Sequence, residues 1–113
     1  MEITQATDAL SALAQESRLA AFRLLVKAGR EGLPAGEIAR ELNIPHNTLS
    51  THLAHLTRAG LLSSRRTGRS ILYSVDFQGT RALLEFLIED CCQGVPEVCD
   101  LALQSVLPGC CSS

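Results

Sequence analysis

No apolar run in this chain approaches the ~18 residues that a membrane-spanning helix needs, and its first residues lack the basic-then-apolar pattern of a secretory signal. Both absences lead to the expectation of a cytoplasmic protein without membrane association. No internal repeat or low-complexity tract interrupts the 113 residues, so length alone points to one modest core that would gain from self-association. Cys-x-x-Cys and phosphate-loop motifs are missing, and no cysteine is followed five residues on by arginine. The expectation is therefore not an enzyme. Histidine stops at His55, and cysteine does not begin until Cys91.

The distribution of acids is the next absence. Net charge is −2, which by itself argues against a polyanionic partner. Yet residues 43–75 contain no acid and four arginines, Arg58, Arg65, Arg66 and Arg69, giving +4. Residues 1–42 sum to −1, and residues 76–113 to −5, with Arg81 the sole base against Asp76, Glu85, Glu89, Asp90, Glu97 and Asp100. His46, His52 and His55 also fall in the basic third. A segregated positive face suits counterion release at phosphates, while the acidic remainder keeps other surfaces away from a nucleic acid. The alternative is a run of solvated loop arginines.

Periodicity predicts helices over Thr4–Ala14, with Leu10, Leu13 and Ala14 inward, and from an N-cap at Ser17 to Lys27 or Ala28, with a stripe of Leu19, Phe22, Leu25 and Val26. A third runs from Leu33-Pro34-Ala35 through Leu42, with Ile38, Ala39 and Leu42 inward. Asn43-Ile44-Pro45 breaks it, because proline disfavours helix in the residue before it. A fourth helix follows to Ala59 and stops at Gly60. Two helices joined by so short a turn are a helix-turn-helix signature. On the fourth helix Leu49, Leu53 and Leu56 share one face, and Asn47, Thr51, Ala54 and Arg58 the opposite one. A helix that reads base edges needs such hydrogen-bonding groups. Two β-compatible runs, Leu61–Arg66 and Ser70–Asp76, flank a turn at Thr67-Gly68, where Gly68 supplies backbone freedom. The last helix, from Gly79 to Cys92, carries Leu83, Leu84, Phe86, Leu87 and Ile88. That is more apolar surface than one face uses, so part of it, with the first helix, is expected at a dimer interface.

Ser50-Thr-His-Leu-Ala-His-Leu-Thr-Arg-Ala-Gly-Leu-Leu62, then Arg65-Arg-Thr-Gly-Arg-Ser-Ile-Leu-Tyr73, resembles the ArsR/SmtB family of metal-responsive repressors. Ser17-Arg18-Leu19 and Phe22-Arg23-Leu24-Leu25 match its second helix, and the resemblance spans about residues 8–92. It implies a mainly α, homodimeric winged helix-turn-helix with a small β-hairpin wing, over residues 1–93, followed by a cysteine-rich tail, 94–113. It also implies a partner, operator duplex DNA, released when an inducer binds. By the same resemblance His46, Asn47, Thr48, Ser50, Thr51 and His52 face DNA from the recognition helix, and Arg66 and Arg69 from the wing. The family often has Gln at the position of His46 and Arg at that of Thr51, so the operator sequence stays open.

Two of the family's inducer sites are missing. The third helix contains no cysteine, which removes its Cys-x-Cys-x-x-Cys arsenic site. The zinc site of the last helix would need histidine where Gln78 stands after Asp76. All five cysteines lie in the last 23 residues: Cys91, Cys92, Cys99, Cys110 and Cys111. Thiolates are soft ligands, and trivalent arsenic or antimony takes three in a pyramid. Cys91, Cys92 and Cys99 are the expected As(III) ligands, as in family members whose arsenic site follows the last helix, with Cys110 and Cys111 auxiliary. Alternatives stay open: another thiophilic metal, methylarsenite, a tetrathiolate zinc site, thiol oxidation through Cys99, or an inducer-independent DNA-binding module. Cys91 also reads as a small buried hydrophobe, and His52 with His55 as a metal pair.

Overall fold

A computed structural model describes residues 1–88. The order is α1 (Ile3–Leu13), α2 (Glu16–Ala28), a 3₁₀ turn (Gly29–Glu31), β1 (Leu33–Pro34), α3 (Ala35–Leu42), α4 (His46–Arg58), β2 (Leu62–Thr67), β3 (Ser70–Val75) and α5 (Phe77–Ile88). The domain boundary expected near residue 93 lies outside the described residues.

Among the described residues the buried core is wholly apolar and draws on all five helices. Ala6, Ala9 and Ala12 of α1 meet Ala21 and Leu25 of α2, Ile38 of α3, Leu49, Leu53 and Leu56 of α4, and Leu83 of α5. This corrects two expected faces. On α1 the buried stripe is the three alanines; Leu13 packs against the core as expected, while Leu10 is 43% exposed and Ala14 is exposed. Alanines at i, i+3 and i+6 let neighbouring helices approach closely, so Leu10 is displaced outward. On α2 Leu25 is buried and Phe22 packs against the core, but Leu19 and Val26 face solvent. The cap of α2 is Gln15, not Ser17: its side-chain oxygen accepts the Arg18 amide at 2.9 Å.

The turn between α3 and α4 is closed by Asn43 in the left-handed region (φ 55°). Its amide donates to the Arg40 carbonyl and the Ile44 amide to the Ala39 carbonyl, satisfying carbonyls left open at the end of α3. Pro45 then starts α4 extended (φ −56°, ψ 141°), so the two helices cannot merge.

The expected two-stranded wing is part of a three-stranded antiparallel sheet, ordered β1-β3-β2. Leu33 pairs with Tyr73 and Pro34 with Leu72. A two-residue strand offers no alternation to read, and Pro34 fits it only because the strand is an edge. Across the hairpin Thr67 pairs with Ser70, so the turn is Gly68-Arg69, with positive φ at Gly68 alone (61°). That is the type II′ pattern, which places glycine first.

Asp76 sits at the start of α5. Its carboxylate accepts the Gly79 amide at 3.0 Å and its carbonyl the Thr80 hydroxyl at 2.9 Å. A side chain at Gly79 would run into the Gly60 carbonyl, so this glycine lets α5 press against the end of α4. Ile3, Leu10, Phe77 and Leu87 leave an apolar surface on α1 and α5 exposed. Among the described residues no helix is long and apolar enough to cross a membrane.

Candidate nucleic-acid interface

Three leucines fix the orientation of α4. Leu49, Leu53 and Leu56 are each 0% exposed, which rotates Asn47, Thr51, Ala54 and Arg58 to the solvent side. His46 and Thr48 are also exposed, and Ser50 is half-buried. Asn47 caps locally, its side-chain oxygen accepting the Thr48 amide at 3.0 Å, and the Thr51 hydroxyl donates to the Asn47 carbonyl at 3.4 Å. With no acid in its first turn, α4 presents a positive dipole end at His46–Leu49.

The wing stands beside this end. A cleft of about 310 Å³ separates them, lined by Ala35 and Gly36 of α3, His46 and Ser50 of α4, and Arg69 and Tyr73 of the hairpin. Alternation along the strands sorts the arginines. Arg66 pairs with Ile71, placing it on the face of Ile71 and Tyr73 that lines the cleft. Arg65 pairs with Leu72 on the reverse face, where its guanidinium donates to the Glu31 carbonyl at 3.3 Å. Among the described residues the only ion pair is Arg81–Glu85 on exposed α5, at 2.7 Å. Arg58, Arg66 and Arg69 therefore meet no carboxylate there. His46 and Ser50 at the start of α4 and Arg69 of the wing border one cleft, with Arg66 on the same sheet face as Ile71 and the hydrogen-bonding face of α4 next to it, an arrangement suited to duplex DNA.

The profile of a helix-turn-helix domain matches residues 13–65. The transcriptional activator HlyU of Vibrio cholerae is 32% identical over 84 residues, covering 74% of this chain and 75% of HlyU. A homodimeric winged helix-turn-helix DNA-binding domain from Mycobacterium bovis, described as a possible ArsR-family regulator, superposes with a TM-score of 0.64 at 25% identity, covering 79% of this chain and 82% of that one. A possible transcriptional regulator for arsenical resistance superposes at 0.63 with 30% identity, covering 74% and 83% of the two chains. The chain belongs to the ArsR/SmtB family.

Like its relatives, this ArsR/SmtB protein is a transcriptional regulator with a helix-turn-helix DNA-binding domain. Of the residues that the resemblance assigned to its recognition helix, one is set apart. His52 is half-buried, and its Nδ1 lies 3.4 Å from a terminal nitrogen of Arg18 on α2, away from the outer face. Burial first, then the Arg18 charge and His55, hold its pKa below the ordinary imidazole value. Arg18 was legible only as part of the family pattern on α2; nothing in its own position pointed to α4. The first turn of α3 as a wall of the cleft was also missed, although Pro34 before it marks a helix start.

Asp76, which survives from the family's zinc pattern, is occupied as a cap. Among the described residues no three His, Cys, Asp or Glu side chains gather as a metal site. Cys91, Cys92, Cys99, Cys110 and Cys111 lie outside the described residues.

Proposed function

We propose that this regulator is a cytoplasmic, homodimeric repressor that leaves its operator when trivalent arsenic or antimony binds its C-terminal thiolates. The observation that carries the DNA half is the acid-free cleft between α4 and the wing. In this reading Asn47, Thr48 and Thr51 approach base edges, while His46, Ser50, Arg66 and Arg69 address the backbone. Arg58 extends the same outer face. Dimerisation through α1 and α5 would cover Ile3, Leu10, Phe77 and Leu87, and a homodimer is what the Mycobacterium bovis neighbour is described as. Repression is the reading's own step, since HlyU bears the name of an activator.

The inducer half rests on composition: five cysteines within 23 residues, and no rival cluster of metal ligands among the described residues. Cys91, Cys92 and Cys99 supply the three soft donors As(III) takes, with Cys110 and Cys111 accessory. The solved relative described in terms of arsenical resistance supports the same ligand class.

The test is a release titration. A fluorescent duplex selected by the protein from a randomised pool is held in complex, and As(III), Sb(III), methylarsenite, Cd(II), Zn(II) or peroxide is added. Release by As(III) and Sb(III) at protein-stoichiometric concentrations is expected. Release only by methylarsenite, by a divalent metal or by peroxide assigns those inducers instead. A complex that survives every addition is an inducer-independent module.

A further inference from the structure

Among the described residues the recognition helix is held to the other elements mainly by apolar packing. Among the described residues, one side-chain hydrogen bond joins α4 to another element, and it is Arg18 to His52. The same guanidinium donates through Nε to the Ala12 carbonyl at 2.6 Å. Ala12 lies in the last turn of α1, where carbonyls have no partner within the helix. Arg18 thus bridges the end of α1, the start of α2 and the middle of α4. Its two bonds differ in kind. The carbonyl accepts at any pH, whereas Nδ1 of His52 accepts from an arginine only as a neutral ring protonated at Nε2, because arginine has no acceptor.

We propose that Arg18 is a positioning residue for DNA reading: it locks α4 to the α1–α2 junction through neutral His52, and it lets go when His52 takes a proton. This rests on the DNA reading above and gives that reading a mechanical input. α1 carries part of the apolar surface assigned to the dimer and packs directly on α4, so the guanidinium adds a polar, protonation-sensitive link to that apolar contact. A protonated His52 would point an N–H at a cation. The titratable and charged groups around this junction are Arg18 on α2, His55 and Arg58 on α4, and Asp8 on α1, which shares a shallow cleft with His55 and Arg58. Burial and the Arg18 charge both favour the neutral ring, the state that the lock requires.

The experiment uses the full chain, the duplex selected by the wild type and a scrambled duplex. Arg18→Gln is expected to bind the selected duplex about tenfold more weakly at pH 7.5, within the usual range of coupling between sites, and the scrambled duplex almost as well as wild type does. In the same variant the His52 ring, followed by NMR, should titrate at a higher pH, because a neighbouring cation is gone. His52→Gln keeps an acceptor that does not titrate. The Kd of wild type divided by that of His52→Gln is expected to rise as pH falls from about 7.5 to 5.5, with His46 and His55 cancelling because both proteins contain them. A ratio constant with pH, or an unmoved His52 midpoint with full affinity in Arg18→Gln, overturns the lock. If Arg18→Gln does not fold, the ratio decides alone. A wild type that selects no duplex fails the DNA reading itself, and the His52 midpoint still shows whether Arg18 holds the ring.

Discussion

Arg65, Arg66 and Arg69 are close in sequence, but the hairpin register assigns them different tasks. Arg69 is at the turn and lines the cleft, whereas Arg65 points to the reverse face and is held by the Glu31 carbonyl. If Arg69 neutralises a phosphate, its removal must show in the salt dependence of binding, not merely in affinity. Each phosphate neutralised contributes about 0.9 to the slope of log K against log salt. A dimer carries two wings, so Arg69→Ala should lower that slope by about 1.8. Between about 50 and 200 mM salt, wild type should then lose about twelvefold more affinity than the variant does. The loss should be similar on selected and scrambled duplexes, because phosphate contacts carry no sequence. Arg65→Ala is the internal control and should change the slope by less than about 0.5. Fluorescence anisotropy at four or five salt concentrations measures all three proteins. An unchanged slope for Arg69→Ala, or equal changes for Arg65→Ala and Arg69→Ala, would refute the assignment of faces.

Gly79→Ala should cost about 1–3 kcal/mol, the range for overpacking, because a methyl group there meets the Gly60 carbonyl; urea unfolding with an unchanged midpoint would show that α5 can lift away cheaply. Cys99→Ser should abolish As(III) release of the duplex, whereas Cys110→Ser with Cys111→Ser should retain it, and release by Cys99→Ser at the wild-type concentration would remove the trio. His52 also sets an acid limb of stability. Its pKa is lowered by burial and by Arg18, so below about pH 6.5 the unfolded chain binds a proton that the folded protein resists. Stability is full above that pH and falls as pH drops through it, and urea midpoints at pH 7.5 and 5.5 should separate more in wild type than in His52→Gln. Equal separation would place the acid limb on other groups.

What could be read from the sequence depended on whether a residue's task was local or lay across the fold. Leu49, Leu53 and Leu56 specify the inner face of α4 by spacing alone, and with it the outward set of Asn47, Thr51, Ala54 and Arg58. Pro45 and Gly68 likewise carry their turns in their own backbone chemistry. On α1 and α2 the expected faces hold at Leu13, Phe22 and Leu25 but not at Leu10, Ala14, Leu19 and Val26, because hydrophobicity alone does not set depth. Where three helices crowd together, the alanines go inside for their size, and Leu10, Leu19 and Val26 are turned out. The third strand was hidden because Leu33 and Pro34 form it only against Tyr73 and Leu72, nearly forty residues away. Arg18 and His52 are the same case in polar form: each is ordinary on its own helix, and their chemistry exists only where α1, α2 and α4 meet. Charge segregation could show that residues 43–75 face a polyanion. It could not show that, among the described residues, the side-chain hydrogen bond from α4 to another element runs back to Arg18 on α2, outside that segment.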